Sequence, residues 1–372
     1  MIYLDNAATT VMFEKAVDVY KKYACQSFFN PSANYGVAIE ISKQLQEVRQ
    51  KILKKLGATK GYIVFTSGAT ESNNLAIMGS KRNGKWEYVF TIGEHPSVYN
   101  VAKELEAQGY KVHFVGLNEK GQVDLNQLEQ VVNEKTRLIS AMHVSNETGA
   151  VNDIKKIVAI RNEKAKNALV HVDGVQACCK FDVSLDLLGV DFYTISAHKF
   201  HGPKGVGCLY IKNLNSIKNI VFGGGQEGGL RSGTENVPGI MAMSHAMEQI
   251  DIKQNFAKVS KLKEIVLDVF SKDERVDCID SESPYILSVG FKGVNGETLM
   301  RALQDCDIIV GMGSACSAKK AGNRILESMG YKKEEVKSRI RISFNEFLTE
   351  EDVSYAANKI LEVYNDIWEK VK

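Results

Sequence analysis

The sequence predicts an α/β protein in which helices cover both faces of a mainly parallel sheet, followed by a smaller α+β domain. Over the first two thirds of the chain, short apolar runs alternate with amphipathic stretches, which is the pattern of repeated strand–helix units. From about residue 256, long helical stretches with few strands replace this alternation. We therefore predict a large domain over 1–255 and a small one over 256–372, with residues 1–15 packing against the small domain.

Strands are predicted where a short apolar run interrupts the helical periodicity. In the large domain these runs are 62–66, 88–92, 111–115, 138–144, 168–172, 192–196 and 206–211. Helical spacing of apolar residues predicts helices at 39–56, 70–80, 96–108, 125–132 and 154–166. The small domain is predicted to contain strands within 284–292, 307–310 and 339–344, and helices at 297–304 and 350–371. In sheets of this type, ligands bind at the carboxyl ends of the strands.

Charge and cysteine content exclude several classes of protein. The 372 residues carry 47 basic and 45 acidic side chains, a net charge of +2, so neither nucleic acid nor a membrane surface is an expected partner. No run approaches the roughly 20 apolar residues of a membrane helix, and the first residues lack a secretory pattern, so we expect a cytoplasmic protein. Seven cysteines without a C-x-x-C pair favour neither a disulfide framework nor a metal site.

Two strand ends carry candidate cofactor-binding residues. Lys199 follows the 192–196 strand in the segment SAHKFHGPKG, where nearby dipoles or cations would lower its pKa and make it nucleophilic. Such a lysine can attach pyridoxal phosphate (PLP) as a Schiff base; the alternative is a solvated loop lysine. Asp173 follows the 168–172 strand, and its carboxylate could face a pyridinium nitrogen or cap a helix.

Two glycine-containing segments are candidate phosphate sites. TSGATESNN, residues 66–74, joins a strand to a helix, so its backbone N–H groups and the positive helix end suit a phosphate monoester. The alternative is a capping box with Ser67 or Thr70 as the cap. GGGQEGGLRSGT, residues 223–234, is either a flexible turn or, because of Arg231 and Thr234, a phosphate contact or an interface.

Cys316 is the candidate reactive cysteine. It lies in GMGSACSAKK, among small residues, beside two lysines and before a predicted helix, and these neighbours favour the thiolate form. A buried structural role is the better interpretation of Cys178, Cys208 and Cys278.

Together these segments resemble the cysteine desulfurase family (NifS/IscS type) of fold-type I, class V PLP enzymes. The resemblance covers nearly the whole chain, because further motifs of the family occur in order: YLDNAATT at 3–10, NPS at 30–32, EHPSV at 94–98, NETG at 146–149 and IRIS at 340–343. It implies a homodimer that uses PLP and no metal.

The resemblance also implies a role for each matched residue. Lys199 would carry PLP, His95 would stack on its ring and transfer protons, and Asp173 would pair with the ring nitrogen. Cys316 would form a persulfide, and Arg341, with Asn146, would bind the substrate carboxylate. The other implied cofactor contacts are Gln176 and Asn146 at the phenolic oxygen, and Ala69, Thr70, Ser196 and His198 at the phosphate, which Thr234 would reach from the other subunit.

The implied reaction converts L-cysteine to L-alanine and passes sulfur through the persulfide to an acceptor protein, either an iron–sulfur scaffold or a tRNA-thiolation enzyme. A selenocysteine lyase, another class V aminotransferase and a sulfur-binding partner without turnover remain alternatives. Two departures from the family pattern are expected to alter rim contacts and substrate preference. The connection after Ser32 is shorter and lacks a histidine, and Asn345 and Glu346 follow the Arg341 segment.

Overall fold

A computed structural model describes residues 1–312 and 323–372. Within these residues the chain forms twelve strands and thirteen α-helices. The strands are β1 (Ile2–Leu4), β2 (Tyr62–Thr66), β3 (Glu87–Thr91), β4 (Lys111–Val115), β5 (Thr136–Met142), β6 (Leu169–Asp173), β7 (Phe192–Ser196), β8 (Gly207–Ile211), β9 (Val276–Ile279), β10 (Ile286–Phe291), β11 (Ile308–Val310) and β12 (Arg339–Ser343). The helices are α1 (Glu14–Cys25), α2 (Gly36–Lys55), α3 (Ala69–Gly79), α4 (Pro96–Ala107), α5 (Leu125–Val131), α6 (Ile154–Lys164), α7 (Leu185–Leu188), α8 (Val237–Gln249), α9 (Ile252–Phe270), α10 (Gly296–Gln304), α11 (Arg324–Ser328), α12 (Lys333–Lys337) and α13 (Glu350–Val371).

The main sheet has seven strands in the order β2-β8-β7-β6-β5-β3-β4. All seven were predicted, with bounds that agree to within two residues, and the predicted mainly parallel sheet is confirmed. The exception in direction is β8, which runs antiparallel to both of its neighbours. A short connection without an α-helix joins β7 to β8, and a parallel crossover needs a longer one.

Helices cover both faces of this sheet. This follows from the burial of successive strand residues in two different cores. Along β2, Ile63 and Phe65 lie in a core with α2 and α8, whereas Val64 lies in a second core with α3 and α4. The apolar stripe predicted for the 39–56 helix, which includes Ile41 and Leu45, is buried in the first of these cores. Among the helices that the structure describes, none combines the length and apolar character needed to span a membrane.

A smaller three-stranded antiparallel sheet, in the order β12-β10-β9, forms a third core with α9 and α13. The N-terminal strand β1 pairs in parallel with β11, and Leu4 and Ala7 are buried in this core. Helix α9 begins at Ile252, so the proposed domain boundary at 255/256 falls within its first turn. The division of the chain at that point stays a proposal.

Strand direction determines where the site forms. Strands β3, β5, β6 and β7 are parallel, and β2 shares their direction because β8 is antiparallel to both β2 and β7. Their carboxyl ends therefore lie at one edge of the sheet, which is where α/β proteins bind ligands. Strands β1 and β12 approach this edge from the smaller sheet, where Asp5 bridges to Ser343.

Candidate active site

A cavity of about 630 Å³ opens at this edge of the sheet, within the usual range for small-molecule sites. Ten of the predicted site residues line it: Ala69, Thr70, His95, Asn146, Asp173, Gln176, Ser196, His198, Lys199 and Arg341. They come from the ends of several different strands and from β12 of the smaller sheet. Residues from distant parts of the sequence thus meet in one place, although their individual roles stay predictions.

Lys199 is half-buried and held by the main chain, and is not a solvated loop lysine. It ends the short turn Ala197–Lys199 after β7, and its Nζ donates to the main-chain carbonyls of Ala7 and Ala8, each at 2.7 Å. Burial, with the positive charge of Arg341, lowers the pKa of Lys199 to about 8, against the opposing effect of Asp173 and Asp5. An amine with this pKa is partly neutral near pH 7 and can act as a nucleophile.

Asp173 ends β6 and is almost completely buried. Its Oδ1 accepts from the main-chain N–H of Val175 at 3.1 Å, and its Oδ2 accepts from Asn73 Nδ2 at 2.9 Å. The sequence left open whether Asp173 caps a helix. It does not, because residues 175–180 form turns and not an α-helix. The carboxylate lines the cavity, where it can pair with a protonated ring nitrogen.

Helix α3 presents its N-terminus to the cavity. Its N-cap residue is Gly68, at φ +149°, and no side chain caps the helix, so a capping box at Ser67 or Thr70 is not formed. Ser67, Gly68, Ala69 and Thr70 all line the cavity. A helix N-terminus without a side-chain cap, flanked by hydroxyl groups, is suited to a phosphate.

The residues present fit PLP. A buried carboxylate, an uncapped helix N-terminus and a lysine amine of lowered pKa share one cavity, and they match the ring nitrogen, the phosphate and the aldehyde of that cofactor. His198 lies among them, with its Nδ1 3.1 Å from Thr9 Oγ1. Burial and the nearby charge of Lys199 lower the pKa of His198 to about 4, so its ring is neutral at pH 7.

His95 is the N-cap of α4, and this fixes its tautomer. Its Nδ1 accepts from the main-chain N–H of Ser97 at 3.2 Å and lies 2.8 Å from Ser97 Oγ. Within the described residues its Nε2 makes no hydrogen bond, and the ring lines the cavity. Burial, with the charges of Lys199 and Arg324, lowers the pKa of His95 although Asp173 opposes the shift. The neutral ring therefore carries its proton on Nε2.

Arg341 is held as a fork at the cavity wall. Its Nη1 donates to the carbonyl of Asn146 and its Nη2 to Asp5 Oδ1, each at 2.7 Å. Its Nε is buried without a hydrogen-bond partner in the described part of the chain. A guanidinium with a buried unpaired donor can still accept an anionic ligand such as a carboxylate.

The N-terminal segment supplies contacts that sequence reasoning missed. The Ala7 carbonyl accepts from Gln176 Nε2 at 2.9 Å as well as from Lys199, and Ala7, Ala8 and Thr9 line the cavity. Gln176 is held from the other side, because its Oε1 accepts from Lys180 Nζ at 2.9 Å. These residues belong to the YLDNAATT motif at 3–10, whose sequence indicates the family but not the partners of its main-chain carbonyls.

Two predicted site residues, Thr234 and Cys316, are not among these ten. Thr234 is exposed and is not among the described residues that line the cavity. Its loop is tied to the first turn of α3 in the same chain, since Arg231 Nε donates to Glu71 Oε1 at 2.7 Å. Cys316 lies in 313–322, outside the described residues, so the structure says nothing about it.

Asn345 and Glu346, the unusual residues after the Arg341 segment, do not line the cavity. Asn345 Nδ2 donates to Asn6 Oδ1 at 2.8 Å, and Glu346 Oε1 accepts from Asn255 Nδ2 at 2.9 Å. Their contacts therefore connect the smaller sheet, α9 and the N-terminal segment.

Comparison with known proteins gives the family. The Aminotransferase class-V profile matches residues 2–355. The whole chain aligns with "Cysteine desulfurase IscS 1" of Archaeoglobus fulgidus at 35% identity, covering 98% of that protein. The chain belongs to the cysteine desulfurase family. This family member is similar to the solved "NIFS-LIKE PROTEIN", with 35% identity, a TM-score of 0.91 and coverage of 98% of this chain and 99% of the other. It is also similar to "SspA in complex with cysteine", with 30% identity, a TM-score of 0.82 and coverage of 92% and 99%.

Proposed function

We propose that this desulfurase uses PLP to convert L-cysteine to L-alanine, and that Cys316 receives the sulfur and passes it to an acceptor protein in the cytoplasm. The observation that carries the proposal is the meeting of the Lys199 amine, the Asp173 carboxylate, the Arg341 guanidinium and the uncapped α3 N-terminus in one cavity. Family membership of the chain supports the same activity.

PLP, when bound, supplies an electron sink that acidifies the substrate Cα and weakens the C–S bond. Lys199 would hold the cofactor, and its amine would then accept the Cα proton of the substrate. Asp173 would hold the ring nitrogen in its protonated form. Ala69, Thr70, Ser196 and His198 would hold the phosphate, and Gln176 and Asn146 the phenolic oxygen.

Arg341 would bind the substrate carboxylate, because its fork is already oriented by Asn146 and Asp5 and retains a buried unpaired donor. His95 would face the substrate sulfur with Nε2. The neutral ring carries its proton on Nε2, so His95 would first donate a hydrogen bond to the substrate sulfur. It would exchange a proton with the thiol only when the charge of the site changes during the reaction.

Cys316 would attack the substrate sulfur as a thiolate. An S–S bond forms as the C–S bond breaks, and the remaining carbon skeleton takes up protons and leaves as alanine. Both flanks of its segment reach the site: Gly311 exchanges main-chain hydrogen bonds with Arg341, and Arg324 donates to the carbonyls of Ile92 and Glu94. These flanks support a role for the intervening cysteine at this cavity.

The enzyme would act as a homodimer in which Thr234 completes the phosphate site of the other subunit. The exposure of Thr234 and the anchoring of its loop by Arg231 and Glu71 support this assembly. The sulfur acceptor would be an iron–sulfur scaffold or a tRNA-thiolation enzyme.

The test compares the holoenzyme with Lys199→Ala. With L-cysteine, the wild type should form alanine and sulfide and should retain visible cofactor absorbance after desalting. The variant should lose both, because no amine remains to hold the cofactor. Alanine formation by the variant at the wild-type rate would contradict the assignment of Lys199, and no alanine from the wild type would contradict the activity.

A further inference from the structure

A chain of buried polar side chains runs behind Asp173, away from the cavity. Asp173 Oδ2 lies 2.9 Å from Asn73 Nδ2, and Asn73 Oδ1 lies 3.1 Å from His171 Nε2. His171 Nδ1 then lies 2.9 Å from Ser140 Oγ, which lies 3.0 Å from Glu94 Oε1. Asn73, His171, Ser140 and Glu94 have no measurable solvent exposure. The proposed reaction uses Asp173 and leaves the other four unexplained.

The direction of each hydrogen bond follows from main-chain donors, which cannot reverse. Asp173 Oδ1 accepts from the main-chain N–H of Val175. His95 Nδ1 accepts from the main-chain N–H of Ser97, so the Ser97 hydroxyl donates to Nδ1, and Ser97 Oγ accepts from the same Asn73 atom that faces Asp173 Oδ2. Asn73 must therefore present Nδ2 to Asp173 and Oδ1 to His171. Burial lowers the pKa of His171 to about 3, so this ring is neutral. Its Nε2 lies 3.1 Å from Asn73 Oδ1, which can only accept, and 3.1 Å from Thr194 Oγ1, which can accept as well, so the single proton of the ring is on Nε2.

The remaining links follow from counting protons. With its proton on Nε2, His171 accepts at Nδ1, and the hydrogen comes from Ser140. Ser140 has one hydroxyl hydrogen, which is then used, so its oxygen can only accept from Glu94 Oε1. A carboxyl group donates only when it is protonated. The arrangement is complete when Glu94 carries a proton and Asp173 carries the charge.

The surroundings of Glu94 favour the same assignment. Its second oxygen, Oε2, is buried and has no hydrogen-bond partner among the described residues, which a charged carboxylate tolerates far less well than a neutral acid. Asp173 instead receives two hydrogen bonds and borders the cavity. Burial and the charge of Asp173 raise the pKa of Glu94 to about 8.

We propose that Glu94 is a protonated positioning residue, whose donated hydrogen bond, through a relay of oriented hydrogen bonds at Ser140, His171 and Asn73, keeps Asp173 as the ionised carboxylate that faces the cavity. If Glu94 were ionised and Asp173 protonated, each side-chain hydrogen bond between them would run in the opposite direction. A neutral Asp173 could not stabilise a protonated ring nitrogen. The value of a charged Asp173 to the enzyme rests on the proposed function, whereas the location of the proton does not.

The side-chain amide of Asn73 is also connected to His95, through Ser97. Asn73 Nδ2 also lies 2.9 Å from Ser97 Oγ, so Ser97 accepts there and directs its own hydrogen to His95 Nδ1. This branch holds His95 in the tautomer with its proton on Nε2. Asn73 thus connects the residue that would stabilise the cofactor ring with the residue that would face the substrate sulfur.

Infrared spectroscopy of the holoenzyme tests the location of the proton, with Glu94→Gln as the variant. The glutamine keeps an N–H donor toward Ser140 and therefore imitates the protonated acid. We expect the wild type at pH 7 to show the C=O stretch of a protonated carboxylic acid that is absent from the variant. If both proteins showed the same band, or neither did, Glu94 would not carry the proton.

Kinetics provide a second readout. Because glutamine replaces a neutral acid, alanine formation by Glu94→Gln should stay within about twofold of the wild type at pH 7. Glu94→Leu, which removes the donor, should lose at least about tenfold, the factor that corresponds to one hydrogen bond to a polar partner. A tenfold loss in the glutamine variant would overturn the proposal, even if the leucine variant failed to fold.

The direction in which activity changes with pH is a third readout. Above pH 8, ionisation of Glu94 places a second negative charge beside Asp173, so wild-type activity should fall there and Glu94→Gln should be protected. The charged and titratable groups that face Glu94 are Asp173 and His171 from β6, Arg324 from α11 and the adjacent His95. Equal profiles would refute the relay. An infrared band without alanine formation would contradict the proposed function alone.

Discussion

The rate at which Lys199 binds the cofactor should depend on pH, with a midpoint set by the lowered pKa of its partly buried amine. The amine must be neutral to form a bond with an aldehyde, and its pKa is about 8 against an ordinary value of 10.5. At pH 8 about half of the amines are neutral, compared with about 0.3% for an unshifted lysine, a gain of roughly 150-fold. Between pH 7 and 9 the neutral fraction should rise about tenfold and then level off.

The assay removes the cofactor, adds PLP back and follows the growth of visible absorbance at each pH. Arg341→Gln is the perturbation, because the charge of Arg341 is the second largest cause of the lowered pKa of Lys199 after burial. The variant should move the midpoint of the rate profile to higher pH. Arg301→Gln is the matched control, since Arg301 is an exposed arginine of α10 paired with Glu297, and its profile should equal that of the wild type.

A wild-type midpoint near pH 10.5 would show that the amine behaves as a solvated lysine. A shift of the Arg341→Gln midpoint to lower pH would contradict the electrostatic argument, because loss of a positive neighbour must stabilise the protonated amine.

Three further predictions concern contacts around the site. Asp5→Asn removes a charged anchor of the Arg341 fork. The KM for cysteine should rise about tenfold, the effect of one charge-assisted hydrogen bond, and kcat should stay nearly unchanged. A lower KM would mean that Asp5 competes with the substrate for Arg341. Thr234→Val should weaken PLP binding by about tenfold in equilibrium titrations, and a fully active monomer in light scattering would exclude a shared site. Glu227→Gln should lower the free energy of unfolding by about 3 kcal/mol in denaturant titrations, because Glu227 forms a buried pair with Arg49 at 2.7 Å; unchanged stability would show that the pair is dispensable.

The main sheet was predictable because each buried strand is a compact apolar run between helices of clear periodicity. The direction of β8 was harder to predict, since its apolar run is the same for parallel and antiparallel pairing. Only the short connection after β7 distinguishes the two cases. The alternative interpretation of 66–74, a capping box at Ser67 or Thr70, was wrong for a local reason, because Gly68 takes the N-cap position with a backbone conformation that favours glycine.

Ten site residues could be predicted because each belongs to a motif that the chain shares with the cysteine desulfurase family. The missed residues Asp5, Asn73 and Glu94 also lie in quoted motifs, but their partners are distant in sequence. Helix phase does not distinguish Asn73 from Asn74. Asn73 follows Ala69 and Thr70 by four and three positions, and Asn74 follows Thr70 and Glu71 in the same way. The structure shows that Asn73 is the fully buried one of the two. Proton positions in the relay cannot be predicted without the geometry, because they follow from which atoms meet.

Sulfur on Cys316 tests the account most directly. The holoenzyme is incubated with L-cysteine without reductant, and intact mass and peptide mapping are compared for the wild type, Cys316→Ser and Cys25→Ser, since Cys25 is an exposed free cysteine that serves as the control. We predict one added sulfur atom on the Cys316 peptide of the wild type and of Cys25→Ser, removable by a thiol reductant. Cys316→Ser should bind cysteine without gaining sulfur, because a serine hydroxyl stays protonated and attacks sulfur poorly. Release of alanine by Cys316→Ser at the wild-type rate, or sulfur found on Cys25 instead, would contradict the account.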